Sequence, residues 1–294
     1  MDVYLKRIHP YAAVMYFASV TVVTMFAFEP ILMLISLFFA ISLNFLSAGA
    51  IKTVKTLLWV LPFGVLIALT NPLVSHFGKT VLFLVFGQAY TLESLMYGAN
   101  LAVTLLAVVL HFMALGNIVD IEKILFLIGR ILPNVALLLT VTVKNITSVT
   151  RRLSEVNDAQ TGLGYYAAEK RFERIKRRVR TFGSVISLSL EAAVETAVAM
   201  RGKCYGVKHR TVSDTKKVTK NDAFIMLVTL LLTVFVFYAM SRGAAQFEFF
   251  PITVMPTVGW LRCAMYTAFA LTCALPIIIT WKEELKWRCL ISRI

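Results

Sequence analysis

Lys170-Arg171-Phe172-Glu173-Arg174-Ile175-Lys176-Arg177-Arg178-Val179-Arg180 is the densest run of charge in the chain, with seven basic residues in eleven. It stands in a sequence of 294 residues that is 59% hydrophobic and only 16% charged, with a mean hydropathy of +0.77. Soluble domains carry about 45–50% apolar and about 25% charged residues. The composition therefore excludes an ordinary cytosolic enzyme, a disordered chain and a fibrous one, and requires several membrane spans. In such a protein Lys and Arg of short loops stay on the cytoplasmic side. The side on which 170–180 lies thus fixes how many spans precede it and how many follow.

Six runs have bilayer length: Tyr11–Phe28, Ile31–Ala48, Leu57–Leu73, Leu95–Leu115, Ala223–Met240 and Val258–Trp281. At 1.5 Å per residue each crosses about 30 Å of hydrocarbon. Tyr11, Trp59, Tyr97, Trp260 and Trp281 sit near run ends as interfacial anchors do, and Pro62 predicts a kink in the third run. Lys6 and Arg7 precede the first run, Lys52 and Lys55 follow the second, and Lys282, Lys286, Arg288 and Arg293 follow the last. All belong inside, as does Arg151–Lys220, which holds about half of the 30 Lys and Arg. Four spans before that segment and two after satisfy every constraint. A further span at 131–149 would put the segment outside, so 131–149 is read as a helix in a protein groove or at the interface.

The expected fold is an all-α polytopic membrane protein with both termini cytoplasmic. Residues 1–116 form a four-helix membrane region, 117–221 a cytoplasmic helical domain and 222–294 a two-helix membrane region. Between spans three and four lies the outer loop Asn71–Ser94, whose apolar stretch Val81–Phe86 is too short to span and is expected to be re-entrant or interfacial.

The cytoplasmic segment reads as three helices. Ile118, Ile121, Ile124, Leu125 and Ile128 keep helical spacing against polar Asp120, Glu122 and Lys123, which gives a short amphipathic helix over Asn117–Arg130. Pro133 opens a long helix that runs to about Gln160 and stops at Gly162-Leu163-Gly164. A third helix runs from about Ala167 to Met200, basic in its first half and apolar in its second, and stops at Arg201-Gly202. Two long helices thus end in glycine turns and present blunt tips. An Arg beside such a stop is exposed, and its guanidinium offers a fork of donors to carboxylates and carbonyls of a partner.

Sites for chemistry are sparse. Phe77-Gly78-Lys79-Thr80 has the letters that end a phosphate loop, but the first glycine of that pattern falls on Leu73. Asn145-Ile146-Thr147 is a glycosylation sequon placed in a cytoplasmic helix. His9, His76, His111 and His209 include no i, i+3 or i+4 pair, and His111, inside a span, is read as packed against a neighbour. Cys204, Cys263, Cys273 and Cys289 form no C-x-x-C pair, so neither a disulfide framework nor a zinc site is expected. Glu29 and Glu248 flank spans, where a solvated position costs little. Glu29-Pro30 after the first run is unlike a signal-peptide cleavage site. No catalytic set, cofactor or nucleic-acid role is read. The basic run suits anionic headgroups or an acidic protein surface.

In its arrangement the chain resembles the transmembrane T component (EcfT, of the CbiQ family) of energy-coupling factor transporters, ABC-type importers of vitamins and transition metals. The residues that carry the resemblance are Asn71-Pro72, Thr91-Leu-Glu-Ser-Leu-Met-Tyr-Gly98, Pro133, Arg151-Arg152-Leu-Ser-Glu155 leading to Asp158-Ala159-Gln160, and Ala197-Val-Ala-Met-Arg201-Gly202. The resemblance implies a non-catalytic coupling subunit in a bacterial or archaeal cell membrane. Its partners would be two cytosolic ABC ATPase subunits and a small substrate-binding membrane protein, the S component. In that family two helix tips with short Arg-centred motifs dock on the ATPases. By position these fall on Met200-Arg201-Gly202, with Met where Ala is usual, and on Gly162-Leu163-Gly164, where the Arg is missing. Either Leu163 makes an apolar contact there, or Arg152 or Lys170 substitutes, or the chain is a divergent member. Val135, Leu138, Val141, Ile186, Leu190 and Val194 would face the S component. The last span would be an addition to the usual family pattern. Two other readings stay open: an enzyme on lipid-linked substrates using Asn71, His76, Lys79 and Glu93, and a basic membrane anchor.

Overall fold

The computed structural model describes residues 8–75, 78–85, 88–164, 171–205, 218–245, 247, 249 and 259–291. Lys6, Arg7, His76, Lys170, His209, Glu248 and Arg293, and the expected helix start near Ala167, lie outside them. In chain order the elements are α1 (Pro10–Phe26), α2 (Pro30–Ala48), α3 (Ala50–Val74), β1 (Val81–Val85), β2 (Gln88–Thr91), α4 (Leu92–Ile118), α5 (Ile121–Ile131), α6 (Pro133–Gly162), α7 (Arg171–Gly202), α8 (Lys220–Ser241) and α9 (Trp260–Ile291). The all-α polytopic expectation holds, with one addition. The stretch expected to be re-entrant or interfacial is a strand, β1, paired antiparallel with β2 in register Val81 to Thr91 and Val85 to Gln88. Its valines and leucines suit a pleated strand and are too few to cross a bilayer.

Among the described residues six helices are long and apolar enough to cross a membrane: α2, α3, α4, α8, Ile175–Gly202 of α7 and Trp260–Lys282 of α9. The set differs from the expected six in one exchange. The first run stops at 17 residues, about 25 Å. Ala27 turns extended at φ −86°, ψ 106°, which ends α1, and Glu29 before Pro30 is extended as well, at φ −105°, ψ 123°. Conversely, the Ala-, Val- and Leu-rich second half of α7 meets the length and composition of a span although its first half is basic.

The chain forms two compact units, Met1–Ile124 with Lys217–Ile294, and Leu125–Lys216. In the first, α4 packs along α3 and α2, α8 packs on α1, and α9 on α8 and α2. Tyr16, Phe17, Val20, Leu32, Met33, Ile118, Val236, Met265 and Phe269 form its core. The α3–α4 contact is close because Gly98 lacks a side chain. A Cβ there would lie 2.8 Å from the Ala68 carbonyl oxygen and 2.9 Å from Asn71 Cβ. The last two helices are not appended to this unit: Val236, Ala239, Met265, Phe269 and Cys273 supply one wall of its core.

Two side chains differ from their sequence reading. Lys123, expected on a polar face, is buried, and its ammonium donates to the Ile118 carbonyl oxygen at 2.8 Å. It thereby satisfies a free carbonyl at the negative end of α4. Asn117 and Ile118 accordingly belong to α4, and the amphipathic helix begins at Ile121. Glu29, expected in solvent, is 2% exposed. Arg262 Nε lies 3.3 Å from its Oε1 and also donates to the Ala244 carbonyl at 2.7 Å, while the Tyr266 hydroxyl donates to the same carboxylate. Burial raises the Glu29 carboxyl above its ordinary range, and Tyr266 and Arg262 pull it back. The α1–α2 corner is thus clasped to α9.

Candidate functional site

The second unit is built on α6 and α7. Pro133 starts α6 with no N–H to leave unsatisfied. The two helices meet at two polar contacts. Arg152 Nη1 donates to the Leu188 carbonyl at 3.1 Å, and Thr181 Oγ1 donates to Gln160 Oε1 at 2.5 Å. The partner numbers run in opposite senses, so the helices pack antiparallel. Thr181 and Val185 are fully buried at the crossing. Residues of the stretch Arg151–Gln160, singled out from the sequence, therefore pin one long helix to the other.

Antiparallel packing sends the two tips apart. The α6 tip lies just past Gln160, beside Thr181. Arg201 lies 20 residues beyond Thr181 on α7, roughly 30 Å along the helix axis. The unit therefore carries its two helix tips roughly 30 Å apart along the α7 axis.

The tips end differently in detail. At α6, Leu163 N–H bonds the Ala159 carbonyl at 3.1 Å and Gly164 N–H the Thr161 carbonyl at 3.0 Å. Gly164 takes φ +72°, a left-handed conformation that costs glycine little. Leu163 projects at the tip, 86% exposed. At α7, Tyr205 N–H bonds the Met200 carbonyl and Cys204 N–H the Arg201 carbonyl, both at 3.0 Å. This is a Schellman ending. Its left-handed residue is Cys204 at φ +58°, not the glycine expected to stop the helix, and Gly202 remains helical. Arg201 and Gly202 are exposed and Met200 is half-buried. Among the described residues the Arg201 side chain makes no hydrogen bond or ion pair, and its charge sits at the favourable end of the helix dipole.

The residues named for the missing tip Arg are placed as follows. Arg152 is engaged at the crossing, roughly 16 Å back along α6 from Leu163. Lys170 lies outside the described residues. Leu163 itself remains at the tip. Of the residues read as facing a membrane partner, Val135, Leu138, Ile186, Leu190 and Val194 are exposed and Val141 is half-buried.

The remaining motif residues are joints of the membrane unit. Asn71 Nδ2 donates to the Ser94 carbonyl at 2.8 Å, and Ser94 Oγ donates to the Ser75 carbonyl at 2.8 Å. Glu93 Oε1 accepts from the backbone N–H groups of Lys79 and Thr80 at 3.3 and 3.2 Å. Thr91 caps α4. Asn71 and Glu93, two of the residues on which an enzyme reading leaned, are thus occupied in fixing the α3–α4 loop. Within the bundle, Thr24, Ser36 and His111 form a buried chain, with Oγ1 to Oγ at 2.8 Å and Oγ to Nε2 at 3.0 Å. The sequence placed His111 against a neighbour. It gave no sign of Ser36, because nothing in local spacing joins positions 75 residues apart.

No curated protein matches the chain. The sequence model described as CbiQ, cobalt transport protein, matches residues 3–213, roughly seven-tenths of the length. That span covers α1 to α7, both tips and the crossing, and stops before α8. By this match the chain belongs to the CbiQ cobalt transport protein family and is a membrane component of a transporter.

Proposed function

We propose that the chain is the non-catalytic coupling subunit of an energy-coupling-factor-type importer. The single observation that carries this reading is the antiparallel α6–α7 pair, with capped, exposed tips at its two ends and a free-standing Arg201 at one of them. Arg201 enters a carboxylate- and carbonyl-lined groove on one cytosolic ABC ATPase, with Met200 and Gly202 as flanking contacts. Gly162-Leu163-Gly164 makes an apolar contact with a second ATPase. Unequal tips suit unequal grooves, so the two ATPases are non-identical chains.

ATP binding and release alter the spacing of the grooves, and the α6–α7 pair follows as the shared two-state element. Its apolar faces, at Val135, Leu138 and Val141 and at Ile186, Leu190 and Val194, pass the motion to a small substrate-binding S component for a vitamin or metal ion. In this reading 117–221 is the coupling module, 1–116 and 222–294 are the membrane regions, and both termini face the cytoplasm of a bacterial or archaeal cell. The basic first half of α7 adds contact with anionic lipid.

Co-purification tests the reading. The tagged chain from its own host should bring down two ATPase chains and a small apolar protein. Arg201→Glu, which sets like charge against an acidic groove, should lose the ATPases while expressing normally. Retention of both ATPases by that variant would sink the tip assignment.

A further inference from the structure

The short helix α5 is amphipathic in the opposite sense to a helix packed on a protein core. Ile124, Leu125, Ile128 and Ile131 follow Ile121 at i+3, i+4, i+7 and i+10, so they form one continuous apolar stripe. On a globular domain such a stripe turns inward. Here Ile121, Ile124 and Ile131 are exposed and Leu125 and Ile128 are half-buried, whereas the buried residue of the helix is Lys123, on its other side. The Lys123 ammonium reaches back to the Ile118 carbonyl at 2.8 Å. The Asp120 carbonyl accepts from the N–H groups of Lys123 and Ile124 at 2.9 and 3.3 Å. The first turn of α5 is therefore fixed to the end of α4, with its cation turned in and its isoleucines turned out.

The level of that joint identifies what covers the stripe. At 27 residues α4 is about 40 Å long, which crosses about 30 Å of hydrocarbon and ends in the headgroup layer. Phe112, within the last two turns of α4, is exposed. Only Val119 and Asp120 separate α4 from α5, so α5 starts at the same depth. An outward row of isoleucines there meets acyl chains. Charge adds little attraction, because the exposed groups beside the first turn, Asp120 and Glu122, are acidic. We propose that α5 lies in the membrane surface, with Ile121, Ile124, Ile128 and Ile131 among the outer acyl carbons, held by apolar burial and not by lipid charge. The division between the two compact units falls at Ile124–Leu125, so the segment that joins them along the chain is itself held by lipid. This contact differs in kind from the electrostatic one of the basic first half of α7, and it stands whether or not the chain is a coupling subunit.

The test uses the full chain in nanodiscs of palmitoyl-oleoyl phosphatidylcholine, with a fluorescent unnatural amino acid placed at Ile124, Ile128 or Glu122 in turn. Exchange for phosphatidylcholine brominated in the outer part of its acyl chain should remove most of the emission at Ile124 and Ile128 and little at Glu122. Replacing half of the lipid by phosphatidylglycerol, or raising the salt, should leave that pattern unchanged. I121N/I131N should reduce the quenching read at Ile124 without lowering the melting temperature of the chain in detergent. Equal quenching at Glu122 and Ile124, no quenching at either isoleucine, or quenching that rises with the phosphatidylglycerol fraction would each overturn the proposal. So would quenching that is present in the isolated chain and lost in the complex purified from the native host, since a protein would then cover the stripe.

Discussion

Glu29→Ala and Arg262→Met break the same clasp and should behave differently. The clasp joins residues more than 230 positions apart, and both side chains are almost fully buried. Removing one member of a buried pair costs about 3–5 kcal/mol, because the other charge keeps its desolvation penalty. For a unit of about 200 residues this lowers the melting temperature by about 10 °C. The asymmetry comes from proton chemistry. In Glu29→Ala the guanidinium stays charged at any accessible pH. In Arg262→Met the carboxylate can take up a proton and become neutral. Its pKa in the folded state is already raised by burial, and loss of the cation raises it further. A carboxyl whose folded pKa exceeds its unfolded value of about 4.3 contributes stability that is full below that value and is lost as pH rises through the folded pKa. Arg262→Met should therefore regain stability on acidification from pH 8 to pH 5, whereas Glu29→Ala should show no such gain relative to the unaltered chain. Thermal unfolding in detergent, followed by tryptophan fluorescence at several pH values, measures both. Identical pH profiles for the two variants would refute the reasoning.

Other outcomes follow from single contacts. Gly98→Val should push α4 off the Ala68 carbonyl and cost about 2–3 kcal/mol, read as a lower melting temperature. Cys204→Gly should stabilise the α7 ending by up to about 1 kcal/mol, since φ +58° is unstrained for glycine, and should leave ATPase co-purification intact. Lys123→Met removes the ammonium from the end of α4 and should cost about 1–2 kcal/mol, with faster amide exchange in the last turn of that helix. Leu163→Asp should weaken retention of one ATPase while retention through Arg201 persists.

Much of this architecture was legible because it rests on period and composition. Helix-length apolar runs, the Pro133 start and the Gly164 stop are local signals, and most fell within a few residues of the observed ends, although α3 begins at Ala50 rather than Leu57 and α9 runs on past Trp281 to Ile291. The misses have separate causes. Glu29 looked like an exposed flank because Arg262 and Tyr266 come more than 230 residues later. Lys123 looked polar because the carbonyl it satisfies appears only once α4 has ended at Ile118. The hairpin at Val81–Thr91 was hidden because a short apolar run has no period that separates strand from re-entrant loop. At α7, Gly202 beside Arg201 suggested the stop, yet the left-handed residue is Cys204. The crossing of α6 and α7 was invisible in spacing alone. Once Arg152 and Gln160 are placed against Leu188 and Thr181, it explains why the tips point to opposite ends.

The measurement that bears most directly on the coupling claim is site-specific photo-crosslinking in native membranes, with a photoreactive amino acid placed at Met200 in one variant and at Leu163 in another. The coupler account predicts that each position forms an adduct with an ABC ATPase chain, and that the two adducts differ in partner. Adducts confined to lipid would contradict it, and would assign the apolar length of Ile175–Gly202 to the bilayer instead.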